Sequence, residues 1–172
     1  MARTTSGDRL LLFFRDYEKR NTDDGAKLRF QTEHTLSKEK EKISTWTKDG
    51  LQNKMKDGET AIDIKSIKYE EDGDILNVFD QLEELFDNNK LVEVWEVNLD
   101  KYEAKKENPI RYFQGYLESF EYSAADEAVD ATMKYVANGK GVKGTDELTE
   151  AQLAAIEAEA YEYTSIKALG EA

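Results

Sequence analysis

The sequence predicts a mainly-β fold, a sandwich flanked by one α-helix, on three observations. The stretch from Lys90 to Gly144 holds three strand-length segments joined by polar connectors. Two further strand-like runs precede it, near Arg9 and Ala26. Between Asp74 and Asn89 there is one strong three-and-four-residue spacing of apolar side chains, which is helical rather than extended.

In chain order, Met1–Asp8 is polar and reads as an N-terminal arm. Arg9–Arg15 (RLLLFFR) is a continuous apolar run of strand length bracketed by charge, the first core strand. Asn21–Gly25 (NTDDG) is a turn cluster. From Ala26 to Leu36 the even-numbered positions Ala26, Leu28, Phe30, Thr32, His34 and Leu36 alternate with charged or polar residues, as in a half-buried strand. His34 lies on its inward phase and is read as a packed histidine.

Ser37–Gly58 is expected to be a long irregular, protruding element. Its Lys38, Lys40, Lys42, Lys48, Lys54 and Lys56 stand against Glu39, Glu41, Asp49 and Asp57. Ile43 and Trp46 would be left in water on a free loop, and exposed aromatics on a basic protrusion commonly meet a partner surface. Thr60–Tyr69 starts with Ile62 and Ile64 in phase and shifts to Ile67 and Tyr69, which predicts a bulge or a bend near Lys65-Ser66. After a turn at Glu70–Gly73, a helix capped by Asp74 carries Ile75, Val78, Phe79, Leu82, Leu85 and Phe86 on one stripe and ends at Asn88-Asn89.

Within Lys90–Gly144, Val92, Val94 and Glu96 share one side of the first strand and Leu91, Trp95, Val97 and Leu99 the other, so both faces should be covered. Asp100–Pro109 reads as a charged loop. In Arg111–Tyr122 the alternation puts Tyr112, Tyr116, Phe120 and Tyr122 on one face and Phe113 and Leu117 on the other. Val129, Ala131, Met133, Tyr135 and Ala137 alternate with polar residues, giving a strand solvated on one side, and Asn138–Gly141 reverses the chain. Thr149 and Gln152 form a capping box ahead of a helix over about 150–161, within a C-terminal segment 150–172 rich in carboxylates.

The chain of 172 residues has a net charge of −13, no cysteine and a single histidine. Thiolate sites, disulfides and histidine zinc sites are excluded, and sequence-reading of nucleic acid conflicts with the charge. No apolar window spans a membrane, and the polar start has no hydrophobic signal region. Residues 37–58 carry six lysines against four carboxylates, +2, which leaves the rest at −15. Segregated charge of this kind favours contacts between copies, and a heterologous contact propagates as rings or filaments.

The strings LLLFFR, KLRFQTEHT followed by a charged loop with TKDG, an amphipathic helix, LVEVWEVNL, YFQGYLESFE and a last strand ending in NGKGVKG occur in an order that resembles the major tail tube protein family of long, non-contractile-tailed bacteriophages. The likeness runs from about Asp8 to Thr149. It implies an arm at 1–8, a β-sandwich domain at 9–149 with a flanking helix at 74–89, and a fold similar to type VI secretion tube proteins. Six copies would form a ring with a continuous β-barrel wall, and rings would stack into the tube through which DNA leaves. The segment 37–58 would reach the neighbouring ring, placing Lys38, Lys40, Lys42, Ile43, Trp46, Lys48, Lys54 and Lys56 in the inter-ring contact. A negative lumen keeps phosphate from adhering, and Asp63, Glu118, Glu121 and Asp130 are the candidates to line it; which strand face supplies them stays open at this point. The resemblance implies self-association, tape-measure, terminator or tip proteins as further partners, a virion tail assembled in the host bacterial cytoplasm, no membrane, no catalytic residue and no cofactor. A type VI tube protein, a glycan-binding sandwich using Trp46 and Trp95, and a hydrolase with paired carboxylates remain as rival readings.

Overall fold

The computed structural model describes residues 2–68 and 78–157. Eight strands form one sheet in the order β2-β1-β5-β6-β7-β4-β3, with β8 also pairing β6. The strands are β1 (Leu10–Asp16), β2 (Ala26–Lys27), β3 (Gln31–Thr47), β4 (Gly50–Ile67), β5 (Val92–Asn98), β6 (Ile110–Ala124), β7 (Val129–Ala137) and β8 (Val142–Gly144). The described helices are α1 (Val78–Asp87), α2 (Leu99–Glu103) and α3 (Glu150–Glu157). None is long and apolar enough to cross a membrane.

The sheet folds over on itself through β6. Residues 110–115 of β6 pair with β5, and residues 115–124 pair with β7, so the strand belongs to both layers. The change occurs at Gly115, which pairs with Val92 on one side and Ala137 on the other. A Cβ there would sit 2.0 Å from the Val136 carbonyl oxygen. Only glycine allows two strands to close this tightly on a bend.

The main core lies between the layers, where Leu12, Phe14, Val92, Val94 and Phe113 meet Ile62, Ile64, Leu117, Met133 and Tyr135. Leu82 and Leu85 of α1 complete it, and Phe79 of the same helix packs on Phe120 of β6 with ring centroids 5.1 Å apart. The Tyr135 hydroxyl donates to the Val92 carbonyl at 2.8 Å, which satisfies a polar group in an apolar interior. A second, smaller cluster on the other side of β1 and β5 joins Phe13, Val97, Leu99 and Ile110 to Trp95, Leu148 and Ile156. Both faces of β5 are therefore covered, as its side-chain pattern predicts.

The capping box forms as expected. Thr149 N–H donates to Gln152 Oε1 at 2.9 Å and Gln152 N–H to Thr149 Oγ1 at 3.2 Å. The Gln152 amide also donates to the Gly25 carbonyl at 2.7 Å, tying α3 to the first layer.

Five sequence expectations change. Ala26–Leu36 is not one strand: the chain leaves β1 after Leu28, whose N–H still donates to the Leu12 carbonyl at 3.3 Å, crosses to the other layer, and turns at Phe30, whose φ is 53°. Leu28 is buried while Phe30 is exposed, because the crossover interrupts the alternation. The bulge opposite Lys65-Ser66 lies in β3, where Gln31 pairs with Ser66 and Glu33 with Lys65; β4 runs regularly from Thr60 to Ile67. In β6 a bulge between Leu117 and Ser119 moves Phe120 and Tyr122 onto the same side as Phe113 and Leu117, leaving Tyr112 and Tyr116 opposite. The loop expected at Asp100–Pro109 begins inside a helical turn, α2, capped by Asn98 Oδ1 accepting from Lys101 N–H. Ser37–Gly58 is a regular two-stranded hairpin rather than an irregular loop. The Asp74 cap, the Glu70–Gly73 turn, Tyr69 and the end of the C-terminal helix lie outside the described residues.

Candidate functional site

Two surfaces carry the features that assembly chemistry requires. One is a polar face, the other a projecting hairpin.

The polar face belongs to the layer β6-β7-β4-β3. Cross-strand pairing aligns Glu33 with Lys65, Thr35 with Asp63, Asp63 with Lys134, Thr132 with Glu121 and Asp130 with Ser123, all pointing away from the core. The four lumen candidates Asp63, Glu118, Glu121 and Asp130 are exposed on this one surface, three by register and Glu118 through the β6 bulge. Between them stand the short hydroxylic side chains Ser37, Ser119, Ser123, Thr35 and Thr132, with the exposed Tyr116 on the same side near Gly115. Its two lysines are both paired. Lys134 Nζ lies 3.2 Å from Glu59 Oε1 and 3.3 Å from Glu118 Oε2, and Lys65 Nζ lies 3.7 Å from Glu33 Oε2. Those hydrogen bonds to Glu59 and Glu118 raise the Lys134 pKa above its ordinary value.

This layer also has two open edges. Beyond Gly115, β6 pairs with β7 on one edge and with no described strand on the other; β3 pairs with β4 on one edge and with no described strand on the other. Unpaired edges of this length are templates for another strand.

The hairpin is formed by β3 and β4 continuing past the last pair with β7, Thr60 with Ala137. From there it runs to the Lys48-Asp49 turn, about 30 Å at the usual rise per residue. At its root Lys38 Nζ donates to the Lys140 carbonyl at 3.1 Å, and Lys40 pairs with Asp57. The bulge between Lys38 and Lys40 adds its residue to β4, so β3 keeps its phase. Lys40, Lys42, Ser44 and Trp46 therefore continue the core-facing side of His34 and Leu36. Trp46 pairs with Leu51 and Lys42 with Met55, so this side carries a stripe of Trp46, Leu51 and Met55 at 80%, 42% and 57% exposure, interrupted by the hydrogen-bonded Ser44-Asn53 pair. The opposite side carries Ile43, Lys54, Lys56 and Glu41, and Lys48 sits in the turn. The residues named from the sequence thus divide between two faces. Leu51 and Met55 were missed, although their two-residue spacing with Asn53 was a usable strand signal.

His34 closes the top of the main core. With the Gln31 amide donating to Nδ1 at 2.6 Å, His34 Nε2–H donates to Glu96 Oε2 at 2.8 Å. The pair joins β3 to β5 across the layers. On the outer layer Glu93, 3% exposed, accepts from Arg15 Nε and from the Tyr112 hydroxyl, each at 2.6 Å. Burial, reinforced by that bond, pushes the Tyr112 hydroxyl up to about 12. Trp95 lies between Arg15 and Tyr112, so it is a packing residue and not an open stacking platform. No group of three or more His, Asp or Glu side chains placed to hold a metal occurs among the described residues.

Comparison with known proteins bears on the fold and the family. No curated protein matches the sequence. Among solved structures, the SPP1 tail tube superposes with a TM-score of 0.71 at 17% identity, covering 98% of this chain and 96% of that one. The tail of a gene transfer agent particle, refined with C6 symmetry, gives a TM-score of 0.61 at 11% identity over 83% of this chain and 100% of that one. A sheath/tube terminator of an extracellular contractile injection system gives 0.51 at 11% identity over 84% and 99%. A profile of the phage tail tube proteins matches residues 4–143, well over half of the sequence. The chain belongs to the phage tail tube protein family, structural virion proteins that polymerise into the tail tube.

Proposed function

We propose that six copies of the β6-β7-β4-β3 layer join edge to edge into a closed ring, that its polar face lines an acidic channel for DNA, and that the hairpins bind each ring to the next. The observation that carries this reading is a four-stranded layer with two open edges and one uncovered carboxylate-rich face. Strand direction supports it. The four strands alternate in direction, so rotating a copy about an axis along the layer sets β3 of one copy antiparallel to β6 of the next. Sixfold repetition, as in the C6 tail of the gene transfer agent, would give 6 × 4 = 24 strands. Closure removes every exposed edge.

On the lumen side, carboxylates and paired lysines leave DNA phosphates without a cation to hold them, and the genome slides. At either end of the tube the last ring offers unfilled hairpins or unfilled acceptor surfaces. A terminator and a tip protein would occupy these, and a tape-measure protein would fill the channel before DNA. The likeness to a contractile-system protein supports a second setting for the same assembly, a secretion-type tube; sheath and spike genes beside this one would favour it.

The absence of native cysteine makes a direct test simple. Thr132→Cys on the polar face and Ala154→Cys on α3 both react with a bulky maleimide-polyethylene glycol in the monomer. In assembled tubes Thr132→Cys becomes unreactive and Ala154→Cys stays reactive. The reverse pattern would place the polar face outside and refute the channel.

A further inference from the structure

The same fold also offers an acceptor for the hairpin. We infer that the Trp46-Leu51-Met55 stripe of one copy seats in the groove between Gly7–Leu11 and Lys27–His34 of a copy in the adjoining ring. This rests on the stacked-ring reading above and adds the receiving site to it.

Three observations meet there. The first is placement. The groove opens at the start of β3, where Gln31 pairs with Ser66 and Ser66 with Ala131; the hairpin leaves from the other end of the same layer, where Lys38 pairs with Thr60 and Thr60 with Ala137. Donor and acceptor therefore lie at opposite ends of one axis. Translating a copy along that axis brings the projecting hairpin of one body to the open groove of the next, a heterologous contact that repeats without limit.

The second is shape and apolarity. The groove has a volume of about 450 Å³; Leu10, Leu11 and Leu28, with Phe30 48% exposed, form its apolar part beside the polar Gln31, Thr32 and His34. It exists because the Leu28–Phe30 crossover leaves β1 and β3 unpaired with each other at this end. The stripe is the matching half. Trp46, Leu51 and Met55 continue the core-facing side of β3 beyond the end of the body, where among the described residues no second layer covers them. An indole with flanking aliphatic groups fills such a space, and aromatic anchors of this kind dominate interface energetics.

The third is charge. Lys42 beside Met55 and Lys48 beyond Trp46 flank the stripe, and the groove is lined by Asp8 and Glu33 against one cation, Lys27, which is itself buried. Opposite charge around an apolar centre orients the contact and disfavours hairpin-to-hairpin pairing.

The test uses the full chain carrying Lys48→Cys together with Thr32→Cys, joined by a short bismaleimide. The two positions lie roughly 50 Å apart along β3 of one chain, so a cross-link reports contact between rings only. Purified tubes should give a ladder of covalent multimers, whereas Lys48→Cys paired with Val142→Cys, at the hairpin end of the body, should not. Trp46→Ser and Phe30→Ser should each raise the protein concentration needed for tube formation roughly tenfold or more, while the circular dichroism of the Trp46→Ser monomer stays unchanged. Tubes that form normally without the Thr32 cross-link, or that link through Val142, overturn the docking site and leave stacking standing. Failure of the parent chain to form any tube overturns both.

Discussion

Replacing residues 42–55 with an Asn-Gly turn leaves a monomer that melts within a few degrees of the parent and forms no tubes. Glu41 and Lys56 already face each other across the hairpin, so two residues close it in a type I′ turn without disturbing the strands below. The deleted residues contribute nothing to either hydrophobic cluster, and all but the turn are exposed strand. Fold and assembly are separable here because Lys38, Lys40 and Asp57 stand between the body's core and the hairpin's apolar side chains. Electron micrographs showing parental tubes from this variant would remove the hairpin from the stacking contact.

Gly115→Ala should have the opposite signature, a damaged monomer. Its new Cβ would meet the Val136 carbonyl oxygen at 2.0 Å and the Ala137 Cα at 2.8 Å, both backbone, so no side chain can yield. Relief requires β6 and β7 to part at the point where one strand serves both layers. The cost is about 3 kcal/mol or more, corresponding to a fall in melting temperature of roughly 10 °C for a chain of this size. Gly144→Ala is the control, since nothing lies within 4 Å of its added carbon, and it should melt with the parent. A Gly115→Ala protein with an unchanged thermal transition would mean that the two layers do not turn at this residue.

The parts of the fold that were readable in the sequence are those set by local chemistry. The Thr149-Gln152 box predicts its own two hydrogen bonds, and the alternation of Val129 to Ala137 predicts which side chains of β7 are buried. What escaped depends on partners distant in the chain. A bulge at Glu118 reverses the phase of Phe120 and Tyr122, and no residue type announces it; it arises where β6 exchanges neighbours. The chain break at Leu28–Phe30 is likewise imposed by the crossing between layers. The lysines and glutamates of the hairpin have low strand propensity, so its regularity is not legible in its composition, yet the cross-strand pairs from Lys42-Met55 to Thr47-Gly50 form without interruption. The lumen candidates were named individually from their sequence. Their gathering on one face follows only from the register of β4, β6 and β7.

The most direct measurement is cryo-electron microscopy of the purified protein at high concentration. The expected result is a tube of stacked sixfold rings in which β3 of each subunit hydrogen-bonds to β6 of its neighbour, with Asp63, Glu121 and Asp130 facing the bore. A tube whose subunits meet through other elements, with those carboxylates on its outer surface, would contradict it.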